Sequence, residues 1–186
     1  METSIIVAGF GGQGVLFTGK LLAYTGMDEG KQVTWFPSYG PEMRGGTAHC
    51  TVIISDEPIG APLVAEPDIV LALNLPSFDK YEPRVKAGGT LVVNSSIVPK
   101  ESQRDDIQIV TVPANDVAEQ VGTPKMVNMA MLGAMLAYTD VLSLTAVTEA
   151  LADHLPASKA DLLEQNIQVL QEGARVATAV NKPVPV

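Results

Sequence analysis

Apolar and polar positions along this chain follow two periods in turn. Ser4-Ile5-Ile6-Val7-Ala8 is a short apolar run that stops at Gly9, the pattern of a buried strand. From about residue 13 to residue 29 the period lengthens. Val15, Leu22, Ala23, Gly26 and Met27 share one helical face there, and Gly30 supplies a C-terminal stop. Residues 32–36 predict a second strand, ended by Pro37, which has no N–H for a ladder. Residues 37–46 predict a loop. Thr47–Ser55 alternates and is rich in β-branched residues, so it reads as a third strand. No helix separates the second strand from the third, so the sheet is expected to be mostly parallel but mixed. Residues 68–73, 90–93 and 107–112 are three more apolar strands, with a short helix or turn over 76–86. The rest is helical, over 115–121, 128–139, 145–154 and 158–180. The helix at 128–139 is apolar nearly all round and must be covered. Strands followed by helices give an α/β domain over residues 1–180 and a proline-bearing tail over 181–186 that cannot continue the last helix.

Composition narrows this picture. The 186 residues suffice for one domain with a full core. With 46% apolar and 18% charged residues the chain is not disordered. No run reaches the roughly 18 uncharged apolar residues of a membrane helix. Met1-Glu2-Thr3-Ser4 lacks the basic start of a secretory signal, so a cytoplasmic protein with no membrane partner is expected. A net charge of -9 repels phosphate backbones and argues against nucleic acid as a partner. Cys50 is the one cysteine, and His49 and His154 are far apart, so neither an iron–sulfur cluster nor a metal site is expected on this chain.

Candidate chemistry gathers in two glycine-rich loops. Gly9-Phe10-Gly11-Gly12-Gln13-Gly14 fits G-x-G-x-x-G between a strand and a helix, where glycines let the backbone approach a ligand and the helix start offers N–H groups. A dinucleotide site also needs an acidic residue at the end of the second strand. Phe36-Pro37-Ser38 stands there, while Asp28 and Glu29 precede that strand. The other reading of these glycines is close helix–strand packing. The second loop sets Ser38, Tyr39, Glu42 and Arg44 in a frame of Pro37, Pro41, Gly40, Gly45 and Gly46. Arg44 suits a carboxylate or phosphate, or equally a pair with Glu42 or a partner chain. Both loops follow strands at their carboxyl ends. If those strands are parallel neighbours, the loops share the edge where open α/β sheets bind ligands. The cofactor-binding candidates are therefore Gly9, Gly11, Gly12, Gln13, Gly14, Ser38, Tyr39, Gly40, Glu42, Arg44 and Gly45. No catalytic set accompanies them. His49 and Cys50 are adjacent on a strand and point to opposite faces, Ser38 lacks a nucleophile elbow, and Lys20 lies too far along the helix for a P-loop lysine.

Gly9 to Val15, together with Pro37 to Ala48, closely resembles the gamma subunit of 2-oxoacid:ferredoxin oxidoreductases. The stretch from Asp68 to Asn74, the Gly88-Gly89-Thr90 turn and Asn128-Met129 are similar too, so the resemblance covers most of the chain. It implies a three-layer α/β/α, Rossmann-like domain in a complex that converts a 2-oxoacid and coenzyme A to acyl-CoA and carbon dioxide, with electrons passing to ferredoxin. It implies alpha, beta and delta subunits as partners, carrying the thiamine diphosphate and iron–sulfur clusters, with no cofactor bound by this chain alone. The phrase around Met43 and Thr47-Ala48 resembles the 2-oxoglutarate or branched-chain type more than the pyruvate type. Indolepyruvate oxidoreductases share the first motif. A free-standing nucleotide- or coenzyme A-binding domain is the alternative of a different class.

Overall fold

The computed structural model describes residues 1–39 and 47–181. Six strands form one sheet: β1 (Glu2–Phe10), β2 (Gln32–Tyr39), β3 (Thr47–Ser55), β4 (Ile69–Ala72), β5 (Thr90–Asn94) and β6 (Gln108–Val112). Their order is β2-β3-β1-β4-β5-β6, with β3 antiparallel to both neighbours and the other pairings parallel. The sheet is thus mixed, for the reason the missing helix between β2 and β3 suggested: that pair is a hairpin.

Pro37 does not end β2, contrary to the expectation from sequence. The strand continues to Tyr39, with Pro37 opposite Cys50. β2 is an edge strand, and a proline is tolerated where one side of the ladder has no neighbour.

Six helices flank the sheet: α1 (Val15–Asp28), α2 (Leu75–Tyr81), α3 (Ala114–Gln120), α4 (Val127–Leu136), α5 (Leu144–His154) and α6 (Leu163–Val180). The stretch expected to be one helix over 158–180 begins as a tight 3-10 turn at Ala157–Leu162 and turns α-helical at Leu163. On one face Ile5, Val7, Cys50, Val52 and Leu71 pack beneath α1 and α4–α6. On the other, Ile6, Ala8, Val70, Ala72, Leu91 and Val93 pack under Phe78, Tyr81 and Val85.

The all-apolar helix is covered from within. Every residue of α4 is buried, and α6 crosses it closely. A Cβ on Gly133 would sit on the Leu170 carbonyl oxygen, and one on Gly173 on the Ala130 carbonyl oxygen. The reciprocal glycines let the two helix backbones touch. The far edge of the sheet is closed as well. Asn181 accepts from the Thr111 amide (2.8 Å) and donates to the Thr111 carbonyl (2.8 Å), so one side-chain amide stands in for a further strand beside β6.

Candidate functional site

The carboxyl ends of β1, β4 and β5 meet the N-termini of α1, α2 and α4 at one edge of the sheet, and the first loop lies across it. Close packing dictates Gly9, because a Cβ there would stand 2.8 Å from Gln13 Oε1 and 3.1 Å from Leu73 Cβ. Gly14 is the N-cap of α1 with φ 77°, a left-handed conformation that suits glycine. A Cβ at Gly14 would lie 2.5 Å from Asn128 Cγ. The glycines therefore do pack helix, strand and α4 together, as the second reading of the motif had it.

The polar groups of this edge are locked by backbone donors. Gln13 Oε1 accepts from the Phe10 amide (2.6 Å) and from Asn74 Nδ2 (3.1 Å). Asn74 Oδ1 in turn accepts from the Ser77 amide (2.9 Å), which caps α2. A backbone N–H can only donate, so both amide orientations are fixed, and Nε2 is the donor Gln13 has left. Asn128 Nδ2 donates to Thr18 Oγ1 (3.1 Å), whose own proton goes to the Gly14 carbonyl (3.1 Å). Asn74 and Asn128 are buried parts of the site that sequence reasoning did not single out as such. The signal available for Asn74 was its position before Leu75-Pro76-Ser77, an N-cap pattern.

Beside the loop a cleft of about 820 Å³ runs between α1 and the C-terminal end of α5, walled by Phe10, Gly12, Phe17, Lys20, Trp35 and His154. The Lys20 ammonium lies 5.3 Å from the centre of the Trp35 ring. Trp35 Nε1 is buried without an acceptor. His154 stacks on Tyr24 (4.4 Å) and meets Asp28 (2.8 Å). Lys20 was read only as a residue on a helix; the fold brings it over the cleft.

Ser38 sits in β2 opposite His49. Tyr39 ends the strand. Gly40, Glu42, Arg44 and Gly45 lie outside the described residues. β1 and β2 run in the same direction but are not neighbours, since β3 lies between them. The hairpin nevertheless opens on the same edge as the first loop, because Phe10 pairs with Thr47 and Ala48 with Tyr39.

His49 and Cys50 do face opposite sides of the sheet. Cys50 lies in the core under α1, its thiol directed at the Val15 carbonyl (3.5 Å), and burial pushes it up to about 12. Such a thiol is not a nucleophile at neutral pH. His49 approaches Tyr81 on the other face, where burial and then the charges of Lys80 and Arg84 hold its pKa below the usual value. Among the described residues no three His, Cys, Asp or Glu side chains come together as a metal site would require.

Residues 4–176 match the family model of pyruvate ferredoxin/flavodoxin oxidoreductase. The chain belongs to that family. It is 33% identical over 180 residues to the 2-oxoglutarate synthase subunit KorC of Methanocaldococcus jannaschii, covering 95% of each chain. It is 38% identical over 177 residues to the ketoisovalerate oxidoreductase subunit VorA of Methanothermobacter marburgensis, covering 93% of this chain and 36% of that one. The chain thus spans about a third of the length of the two VorA relatives it matches. Among solved structures, the gamma subunit of a keto/oxoacid ferredoxin oxidoreductase from Geobacter sulfurreducens superposes with a TM-score of 0.84 at 33% identity, over 98% of this chain and 99% of that one.

The oxidoreductase family fold also explains the missing ribose carboxylate. In a dinucleotide fold the strand after the first helix lies beside β1. Here β3 occupies that place and β2 is pushed to the edge, so no acid at the end of β2 would stand next to the first loop. No helix among the described residues is long and apolar enough to cross a membrane.

Proposed function

We propose that this chain is the gamma subunit of a multisubunit, cytoplasmic 2-oxoacid:ferredoxin oxidoreductase, acting on 2-oxoglutarate. The observation that supports the reading is the end-to-end match to a 2-oxoglutarate synthase subunit, 95% of each chain at 33% identity, where the pyruvate/ketoisovalerate common gamma subunits match at 29–30%. A branched-chain 2-oxoacid is the second reading, favoured by the slightly higher identity to VorA.

In this reading the chain holds no redox cofactor. A single cysteine, buried and with its thiol near 12, does not fit an iron–sulfur cluster. Thiamine diphosphate and the clusters belong to the alpha, beta and delta partners, which pass electrons to ferredoxin. Coenzyme A is different, because the residues at the sheet edge fit it. The cleft offers an aromatic wall for a base and Lys20 for a phosphate, and Gln13 Nε2 is a donor held in a fixed direction. The two loops then line the coenzyme A channel where this subunit meets its partners.

The test is assembly with the alpha, beta and delta chains followed by ferredoxin reduction in the presence of coenzyme A. Activity with 2-oxoglutarate well above that with 2-ketoisovalerate is expected; the reverse order would give the branched-chain reading. Arg44→Ala in the assembled enzyme should raise the KM for coenzyme A or loosen subunit association. If neither moves, the second loop has no part in the channel. Tight coenzyme A binding by the isolated chain would favour a free-standing binding domain instead.

A further inference from the structure

The two walls of the cleft are held differently. One is α1, which packs on β1, β2 and β3. The other is the last turn of α5 with the residues after it: Leu151, His154, Leu155 and Pro156. Leu151 is buried and anchors the helix in the core. Beyond it the burial stops. Over 152–161 every residue is exposed except Leu155, which is half-buried. Pro156 ends the helical ladder, and the 3-10 turn Ala157–Leu162 that follows has no buried residue. The backbone bonds here are local, from Leu155 to Leu151 and from Lys159 to Pro156.

Among the described residues a single side chain of this segment bonds to another element. His154 Nε2 meets Asp28 Oδ2 on α1 at 2.8 Å, across 126 residues of sequence. The same ring lies on Tyr24, with centres 4.4 Å apart and planes 11° from parallel. Tyr24 and Asp28 are four residues apart on α1 and share a face, so one imidazole can meet both. Tyr24 and His154 together line the cleft. A segment with few buried apolar contacts and mostly local hydrogen bonds is the kind that opens while the rest of a fold stays closed.

We propose that residues 152–161 are a flap over the cleft and that His154 is its latch. Paired with Asp28 it holds the flap down over a bound ligand, and parted from Asp28 it lets the ligand pass. The inference rests on the reading that coenzyme A occupies this cleft. The two side chains of the latch are 32% and 47% exposed. An ion pair so close to solvent adds little to global stability, so breaking it should free the flap and leave the fold standing.

Trp35 lines the cleft and is the one tryptophan of the chain, so acrylamide quenching of its fluorescence reads access to the cleft without any partner subunit. His154→Ala and Asp28→Ala should each raise the quenching constant at least twofold, and the double variant no further than either alone. His154→Gln, whose amide can still donate to Asp28, should lie between them and the wild type. Lys100→Ala breaks an exposed pair with Asp79 away from the cleft and should change nothing. Circular dichroism and an unreactive Cys50 report that each variant is folded. In the enzyme assembled with its partner chains, His154→Ala and Asp28→Ala should raise the KM for coenzyme A at least threefold at unchanged kcat. Wild-type quenching in both variants would overturn the flap, and raised quenching with an unchanged KM would overturn its part in ligand passage. An assembled wild-type enzyme indifferent to coenzyme A would instead overturn the reading of the cleft, an outcome that shows before any variant is made.

Discussion

Gln13 and Cys50 show how much at the residue scale depends on neighbours distant in sequence. Gln13 was legible as part of a glycine motif; the Phe10 amide orients it locally, and Asn74, which follows β4 and lies 61 residues away in sequence, donates to the same oxygen. Cys50 was legible as a core residue because it alternates with His49 along a strand. Its chemistry follows from burial, which pushes the thiol up to about 12 in the folded chain, from an ordinary value near 9. Native protein at pH 8 should therefore resist a thiol reagent such as Ellman's, and react fully in urea. The unfolded thiol loses its proton near 9 and the folded one near 12, so the folded state binds more protons between them. Stability contributed by Cys50 is present below 9 and is lost as pH rises across that window, which denaturation of wild type and Cys50→Ala at pH 8 and pH 10.5 can measure. Rapid labelling of the folded chain at pH 8 would contradict this.

At the element scale the sequence pattern found all six strands and every major helix, because period and turn residues are local properties. It erred at Pro37 because the cost of a proline in a strand depends on whether a neighbour needs its N–H, which is not a local property. The α4–α6 crossing is another case. Gly133 and Gly173 look like weak points of two helices, and become the contact only when the helices are brought together. Gly133→Ala adds a methyl where a carbonyl oxygen already stands. It should cost about 3 kcal/mol, the upper range for overpacking, despite the better helix propensity of alanine. Urea denaturation would show it as a lower midpoint at unchanged slope; a neutral or stabilising change would mean that α4 and α6 separate easily.

For the whole molecule, the two edges of the sheet have different fates. β6 is sealed by Asn181, and β2 carries a proline that discourages strand addition. Asn181→Ala should free the Thr111 backbone and cost about 1–2 kcal/mol from the lost hydrogen bonds. It should also raise the tendency of the chain to self-associate, read by light scattering at increasing concentration. Unchanged stability and scattering would mean that solvent satisfies Thr111 as well as Asn181 does.

By itself the sequence determined the α/β class, the mixed sheet, the strand and helix inventory and the two loops that carry the family resemblance. These rest on residue type and spacing, which chain neighbours suffice to express. Tertiary structure decided the rest: that β3 separates β1 from β2, that Asn74 and Asn128 lock the first loop, and that Lys20 and Trp35 wall a cleft. Each depends on strand order and on which face an element presents. Those are fixed by burying two apolar faces at once, and no window of sequence contains both of them.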